Sequence, residues 1–495
     1  MSQLLARTTA GTVRGEAFEG GIAFKGIPFA APPVGPRRFR PPEPAESWEG
    51  VREATQFGPA CPQVRRATSP ILARTQHIPV PLDEDCLSLN VWTPAVDDAQ
   101  RPTMVWLHGG GSIGTGCCWP LDDGAAFMRD DVVLVTINYR LGLFGFLYLD
   151  ELFDEARQSG NLALLDQVAA LAWVRDNIAA YGGDPDNVTV FGESFGAVCV
   201  QTLLAMPRAR GLFRRAISQS GVQLYRSIDT AHAIAQNVLK QLGVRAGDWA
   251  ALAAVPAERL VEVSLNVRDP EPQFGSIWKP IVDGITLPDT PMRLVAAGHA
   301  DGVELLVGYN AEEWRILYFG SPPGTIPAPD LASLFATSSL TPDEVYATYA
   351  AARPGATDQD VYAAVESDLT ITLPSIRLAE AQLHHTDRVW MYRFDWSSPI
   401  LGGMLGAHHG LDLPFTFERY DDPTLLGDDP PQELGRDLHG ALVRFAATGD
   451  PNGGALPHWP SYDLHQRRTM LFDAPCTVVE DPRAAIRELW ERVEI

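Results

Sequence analysis

The sequence predicts an α/β fold, a large and mostly parallel central sheet with helices on both faces. Three observations carry that expectation. Between 87 and about 221, apolar β-rich runs alternate with segments of helical periodicity, the order that a parallel sheet and its crossover helices require. The run Gly192-Glu193-Ser194-Phe195-Gly196 falls at the junction of one such strand and the helix after it. The chain has 495 residues, 45% hydrophobic and 20% charged, which is ample apolar material for an extended core.

Taken in order, the first 60 residues are punctuated by Pro and Gly (KGIPFAAPPVGPRRFRPPEP) and predict short edge strands and turns over a larger body. LSLNVWTP (87–94), TMVWLHG (103–109) and VVLVTINY (132–139) are β-rich. NLALLDQVAALAWVRDNIAAYGG (161–183) has apolar residues at helical spacing and ends in Gly-Gly, a helix stop. NVTVFG (187–192) is again a strand and AVCVQTLLAM (197–206) again a helix. Residues 230–380 are mainly helical in pattern with Pro-rich loops, a cap or insertion region. ELLVGYN (304–310) and VWMYRFDW (389–396) return the chain to the sheet. No repeat, heptad, low-complexity tract or clean linker interrupts it, so one domain over 1–495 with helical insertions around 230–380 is expected.

Acidic residues (62) outnumber Lys and Arg (39), for a formal net charge of −23. A chain that binds nucleic acid or anionic lipid needs a basic footprint, and this charge argues against both. The most apolar stretch, 132–149, holds Asn138 and Arg140 in its middle and Gly142 and Gly145 beyond, which fits a core strand and loop better than a membrane span. The N-terminus lacks the apolar run of a secretory signal, so a cytoplasmic location, or an already processed secreted form, is expected. The 6 cysteines, at 61, 86, 117, 118, 199 and 476, are too few for a disulfide scaffold and form no CxxC pair. Neither metal nor organic cofactor is expected, and a monomer is the default.

The chemistry begins at Ser194. A serine between two glycines on a strand-to-helix turn is the nucleophile arrangement of a hydrolase, because the sharp turn leaves no room for side chains two positions away. His108-Gly109-Gly110-Gly111 follows the strand TMVWL. There the N–H groups of Gly110 and Gly111, with that of Phe195 after the nucleophile, are candidates to converge on a developing oxyanion. Gly109-x-Gly111-x-x-Gly114 also matches a dinucleotide fingerprint formally. However, TGCCWPLDDG follows where a helix should start, and no acidic residue ends the next strand. A serine needs a base and the base an orienting acid, but with 11 histidines spacing alone does not choose.

Longer runs do. FKGIPFAAPPVGPRRFRPPEP (24–44), EDCLSLNVWTP (84–94), WLHGGG (106–111), NYRLGLFGFL (138–147), DQVAALAWVRDNIAAYGGDPDNVTVFGESFGA (166–197), AISQSG (216–221), GYNAEE (308–313) and GAHHGLDLPFTF (406–417) resemble, in order, the type B carboxylesterases. That family includes bacterial para-nitrobenzyl-type esterases and the animal cholinesterases. The resemblance implies the α/β-hydrolase fold, in which the triad follows the order Ser…Glu…His, and ester hydrolysis with Ser194 as nucleophile. It implies Glu313 as the triad acid, although the family's N-x-D-E-G run reads Asn310-Ala311-Glu312-Glu313-Trp314, with Glu312 for Asp and Trp314 for Gly. Glu312 is the rival acid. His409, three residues before Asp412-Leu413, is implied as the base, with His408 a packed or solvated neighbour. Glu193 and Ser220 match residues that support the triad from behind, and equally suit plain buried polar residues. Arg140 and Asp166 are expected to be buried partners that serve folding. Ser112-Ile113 stands where the family's oxyanion loop continues with Phe or Ala-Phe, which alters the pocket wall. Cys61 and Cys86 match the family's N-terminal disulfide pair, though a reducing compartment would keep them apart. The cholinesterase tryptophan that holds a quaternary ammonium has its counterpart in Arg74-Thr75-Gln76-His77, so neutral esters are the expected substrates. An amidase, lactonase or acyltransferase would use the same machinery. A non-catalytic adhesion module would typically have lost a triad residue, and all three positions are filled.

Overall fold

The computed structural model describes residues 4–64, 78–270, 276–318 and 340–493. Arg74–His77 lies outside them. Among the described residues eleven strands form one sheet. In chain order they are β1 (Glu16–Phe18), β2 (Gly21–Pro28), β3 (Ser88–Thr93), β4 (Arg101–Leu107), β5 (Val133–Ile137) and β6 (Gly183–Glu193). They continue as β7 (Arg215–Gln219), β8 (Glu304–Asn310), β9 (Val389–Phe394), β10 (Arg468–Phe472) and β11 (Thr477–Glu480). Across the sheet the order is β11-β10-β9-β8-β7-β6-β4-β5-β3-β2-β1. The run from β10 to β5 is parallel throughout. The flanking strands β11, β3, β2 and β1 pair antiparallel. The expected N-terminal edge strands are therefore present, and the first two of the sheet close one border. Leu5–Arg7, Thr12–Arg14 and Val51–Glu53 form a separate three-stranded sheet.

The parallel strands are apolar on both faces because both are covered, and alternate residues enter different cores. Val105 and Leu107 of β4 join one core, and Met104 and Trp106 the other. Leu305, Val307 and Tyr309 of β8 divide from Leu306 in the same way. The first core is closed by α1 (Leu162–Asn177), α2 (Phe195–Ala205) and α3 (Ile228–Leu242). α1 is buried on most of its faces and α2 on all, as expected of helices enclosed by a large core. α3 is amphipathic, begins at Ser227, whose Oγ accepts the Thr230 N–H, and stops at Gly243 with φ 70°.

In the region expected to be helical follow α4 (Ala257–Asn266), α5 (Pro342–Ala352), α6 (Asp358–Ser367) and α7 (Leu373–Gln382). The second core is closed by α8 (Gln432–Thr448), which presents Leu434, Leu438, Leu442 and Phe445. α5 and α6 pack on α9 (Ala484–Trp490) in a smaller apolar cluster around Tyr349 and Trp490. No helix among the described residues is long and apolar enough to cross a membrane.

β4 has β5 on one side and β6 on the other, so the chain reverses its direction of progress across the sheet there. At such a switch point the connections leaving the carboxyl ends of adjacent strands diverge and open a crevice, which is where α/β sheets bind ligands.

Arg140 and Asp166 meet in the interior as expected. Arg140 Nε and Nη2 donate to the two carboxylate oxygens of Asp166 at 2.8 and 2.6 Å, and Nη1 donates to the Arg40 carbonyl at 2.7 Å. The pair joins the loop after β5 to α1 and to the N-terminal region. Asp166→Ala leaves the guanidinium buried and uncompensated, so it is expected to cost about 3–5 kcal/mol. The check is a lower urea midpoint at unchanged slope.

Candidate active site

Four parallel strands deliver the candidate residues from their carboxyl ends: β4 leads into His108–Gly111, β6 into Ser194, β8 into Glu313 and β9 toward His409. Ser194 is held at φ 56° and ψ −122°, a region costly for a residue with a side chain. Its N–H donates to the carbonyl of Gln219, the last residue of β7, at 2.9 Å. The flanking glycines are steric requirements. A Cβ on Gly196 would lie 1.9 Å from the Leu107 carbonyl oxygen, and one on Gly192 would lie 2.6 Å from the Gly196 carbonyl carbon. A Cβ on Gly109 would lie 2.9 Å from the Glu193 carbonyl oxygen, and Gly110 has φ 95°.

Ser194 Oγ and His409 Nε2 are 2.8 Å apart, and His409 Nδ1 lies 2.6 Å from Glu313 Oε2. Glu313 is fully buried, and its other oxygen accepts the Asn310 N–H at 2.7 Å. The His409 N–H donates to the Glu313 carbonyl at 2.9 Å, so backbone and side chain bind the two residues together. Glu312 turns away toward Arg315 and Arg353, at 4.0 and 3.8 Å. His408 Nδ1 meets the His409 carbonyl at 2.9 Å, and burial pushes its ring down to about 4, which keeps it neutral.

Glu193 Oε1 lies 3.3 Å from His409 Nε2. Burial opposes charge on His409, but the nearby Glu193 and the hydrogen-bonded Glu313 outweigh it and raise the imidazole to about 9. Burial raises the Glu193 carboxyl to about 8, against the pull of His409. Ser220 is buried at the end of β7, where its N–H donates to the Gly308 carbonyl at 2.8 Å; its hydroxyl has no partner among the described residues.

Gly110, Gly111 and Phe195 line the same cavity of about 380 Å³ as Ser194 and His409. Its walls are Ile113, Trp119, Leu121, Val222, Leu224, Trp314, Ile316, Leu317, Leu413 and Leu425. Most of these carry no recognisable signal in the sequence, because they come from separate loops. Of the expected Ser112-Ile113 departure only Ile113 faces the cavity; Ser112 Oγ donates to the Trp278 carbonyl at 2.5 Å. The bridge suggested between Cys61 and Cys86 is not formed. Both are free, buried thiols, and the Cys61 hydrogen bond together with burial raises the Cys86 thiol well above its ordinary value, so it stays protonated.

A serine, an imidazole and a carboxylate strung on one hydrogen-bonded line above a parallel sheet make this a serine hydrolase of the α/β-hydrolase fold. The chain belongs to the carboxylesterase family, whose sequence profile matches residues 2–490, and it is a carboxylic ester hydrolase. It is 38% identical to the para-nitrobenzyl esterase of Bacillus subtilis (strain 168), over 99% of this chain and 98% of that protein. It is 36% identical to the phenmedipham hydrolase of Pseudarthrobacter oxydans, with 92% of each covered. Among solved structures, a carboxylesterase of Geobacillus stearothermophilus superposes with a TM-score of 0.87 at 38% identity, covering 99% of this chain and 100% of that one.

The carboxylates around His409 set a pH dependence. A base works only when neutral, and a raised value moves the acid limb of kcat/KM above the ordinary histidine position near 6.5. Glu193, raised by burial to about 8, is ionised where the His409 limb near 9 falls, so Glu193→Gln removes a charge that favours the imidazolium there. The substitution is expected to move that limb to lower pH, read from a kcat/KM profile between pH 5 and 10.

Proposed function

We infer that the protein hydrolyses neutral carboxylic esters through an acyl-enzyme on Ser194. The observation that carries this reading is the continuous line from Ser194 Oγ through His409 to Glu313, with contacts of 2.8 and 2.6 Å. As Oγ attacks the ester carbonyl, its proton passes to His409 Nε2 and the carbonyl electron pair moves onto oxygen. The N–H groups of Gly110, Gly111 and Phe195 receive that oxyanion, and Glu313 stabilises the imidazolium. Collapse expels the alcohol, which takes the proton from Nε2. Water then repeats the sequence and releases the acid.

The cavity supports neutral substrates. Its walls are aliphatic and aromatic, and Glu193, the carboxylate that lines it, is held toward its uncharged form by burial.

Ser194→Ala is expected to abolish turnover and labelling by a fluorophosphonate with the fold intact. His409→Ala should lower kcat by about 10⁴ or more, and His408→Ala by about tenfold or less. Labelling that survives Ser194→Ala, or equal losses at the two histidines, would overturn the assignment.

Choline esters should be poorer substrates than neutral esters of the same acyl group, by about tenfold or more in kcat/KM. Butyrylthiocholine against a neutral thiobutyrate ester, at two salt concentrations, makes the comparison. The high-salt arm removes the long-range pull of the negative protein on a cation.

A further inference from the structure

Trp314 follows the triad acid directly and occupies the position where the resemblance implies glycine. Its indole centroid lies 4.4 Å from that of the His409 ring, with the planes inclined by 38°. The side chain is buried, lines the cavity, and is tied at two points. Its backbone N–H donates to Ser367 Oγ at 3.0 Å, and its indole N–H donates to Thr370 Oγ1 at 2.6 Å. Both acceptors are themselves engaged: Ser367 Oγ donates to the Ala363 carbonyl and Thr370 Oγ1 to the Glu366 carbonyl, each at 2.6 Å. Ser367 precedes, and Thr370 lies within, a π-helical turn, Asp368–Thr372, between α6 and α7. The indole is thus anchored to a different part of the fold from the strand ends that carry the triad.

The imidazole of His409 is fixed in its own plane at Nε2 by Ser194 and at Nδ1 by Glu313. Those two bonds restrain rotation about the axis joining the two nitrogens only weakly, and a ring held against one face supplies that restraint. An aromatic face also attracts a cation, and does so more strongly when water is excluded.

We propose that Trp314 is a positioning residue for the base, its indole holding the plane of the His409 ring and favouring the imidazolium that forms during acyl transfer. This rests on His409 being the base. The other groups facing the ring are the Glu313 and Glu193 carboxylates, the buried Asp412 and the neutral His408. None of them is altered by substitution at 314.

The test compares Trp314→Leu, which keeps an apolar cover but no π face, with Trp314→Phe, which restores the face. Expected for Leu is a kcat about tenfold lower on a short neutral ester at nearly constant KM, with the acid limb of kcat/KM moved about half to one unit lower. The Phe variant should recover most of both. Thr370→Val keeps the indole but removes its tether, and should lower kcat about threefold with the limb in place.

An acid limb unmoved in Trp314→Leu, with equal losses in the Leu and Phe variants, overturns the proposal. If the Leu variant does not fold, an unchanged kcat in Thr370→Val overturns it instead. His409→Ala is run in parallel. Activity retained there defeats the assignment of the base itself, whereas its loss beside an unmoved limb defeats only the role of Trp314.

Discussion

The carbonyl oxygen of Leu107 lies where a side chain on Gly196 would have to be, and this approach sets the spacing of the whole site. Leu107 ends β4 and Gly196 is in the first turn of α2, so the contact presses the nucleophile turn against the start of the glycine run. Ser194 is forced to a positive φ, and its N–H finds the end of β7. The helix that follows is buried on every side and cannot relax away. Local strain at the serine is thereby held by packing around it, the usual way in which such a conformation persists. The loops that complete the site inherit their positions from strands already locked in register with β6.

Around this frame, three carboxyl groups, Glu193, Glu313 and Asp412, are buried near a single imidazole. Burying carboxyl groups is costly unless each is supplied with donors or gives up its charge. Asp412 receives Tyr392 Oη at 3.0 Å, Gln219 Nε2 at 3.1 Å and Asn310 Nδ2 at 3.2 Å. Glu313 receives a backbone N–H and the histidine. Glu193 has fewer partners and is held toward its neutral form instead. The donors that fix Glu313 and Asp412 beside His409 are therefore in place before any substrate arrives, which is what makes electrostatic preorganisation effective.

The Ser194 turn and the glycine run were legible in the sequence because their constraints are local: a turn that excludes Cβ atoms writes glycines at fixed offsets. The partners of Ser194, His409 and Glu313, were not legible from spacing. His409 stands 215 residues from Ser194 and 96 from Glu313, and only family resemblance singled them out. The central alternation of strands and helices was read correctly, but not the antiparallel pairing of β3, since residue periodicity carries no information about strand direction. Glu312 and Glu313 differ by one position, and their separation depends on which way each side chain leaves the loop. Ser112 was expected to help shape the pocket wall, yet its hydroxyl is consumed by a backbone carbonyl. The contact of Trp314 with His409 was hidden for a similar reason, since its tether at Thr370 is 56 residues away.

The cavity walls and the hydrogen-bonded line have different owners in the fold. Reactivity belongs to strand ends, whose geometry the sheet dictates, whereas much of the cavity's shape belongs to loops and short helices such as those bearing Ile113, Trp119, Leu224 and Leu425. A lineage, or an engineer, can therefore redraw the outline of the acceptable ester one residue at a time without renegotiating how it is cleaved. Trp314 is where this independence ends: it belongs to the wall and its ring lies 4.4 Å from that of His409, so a change of shape there also reaches the hydrogen-bonded line.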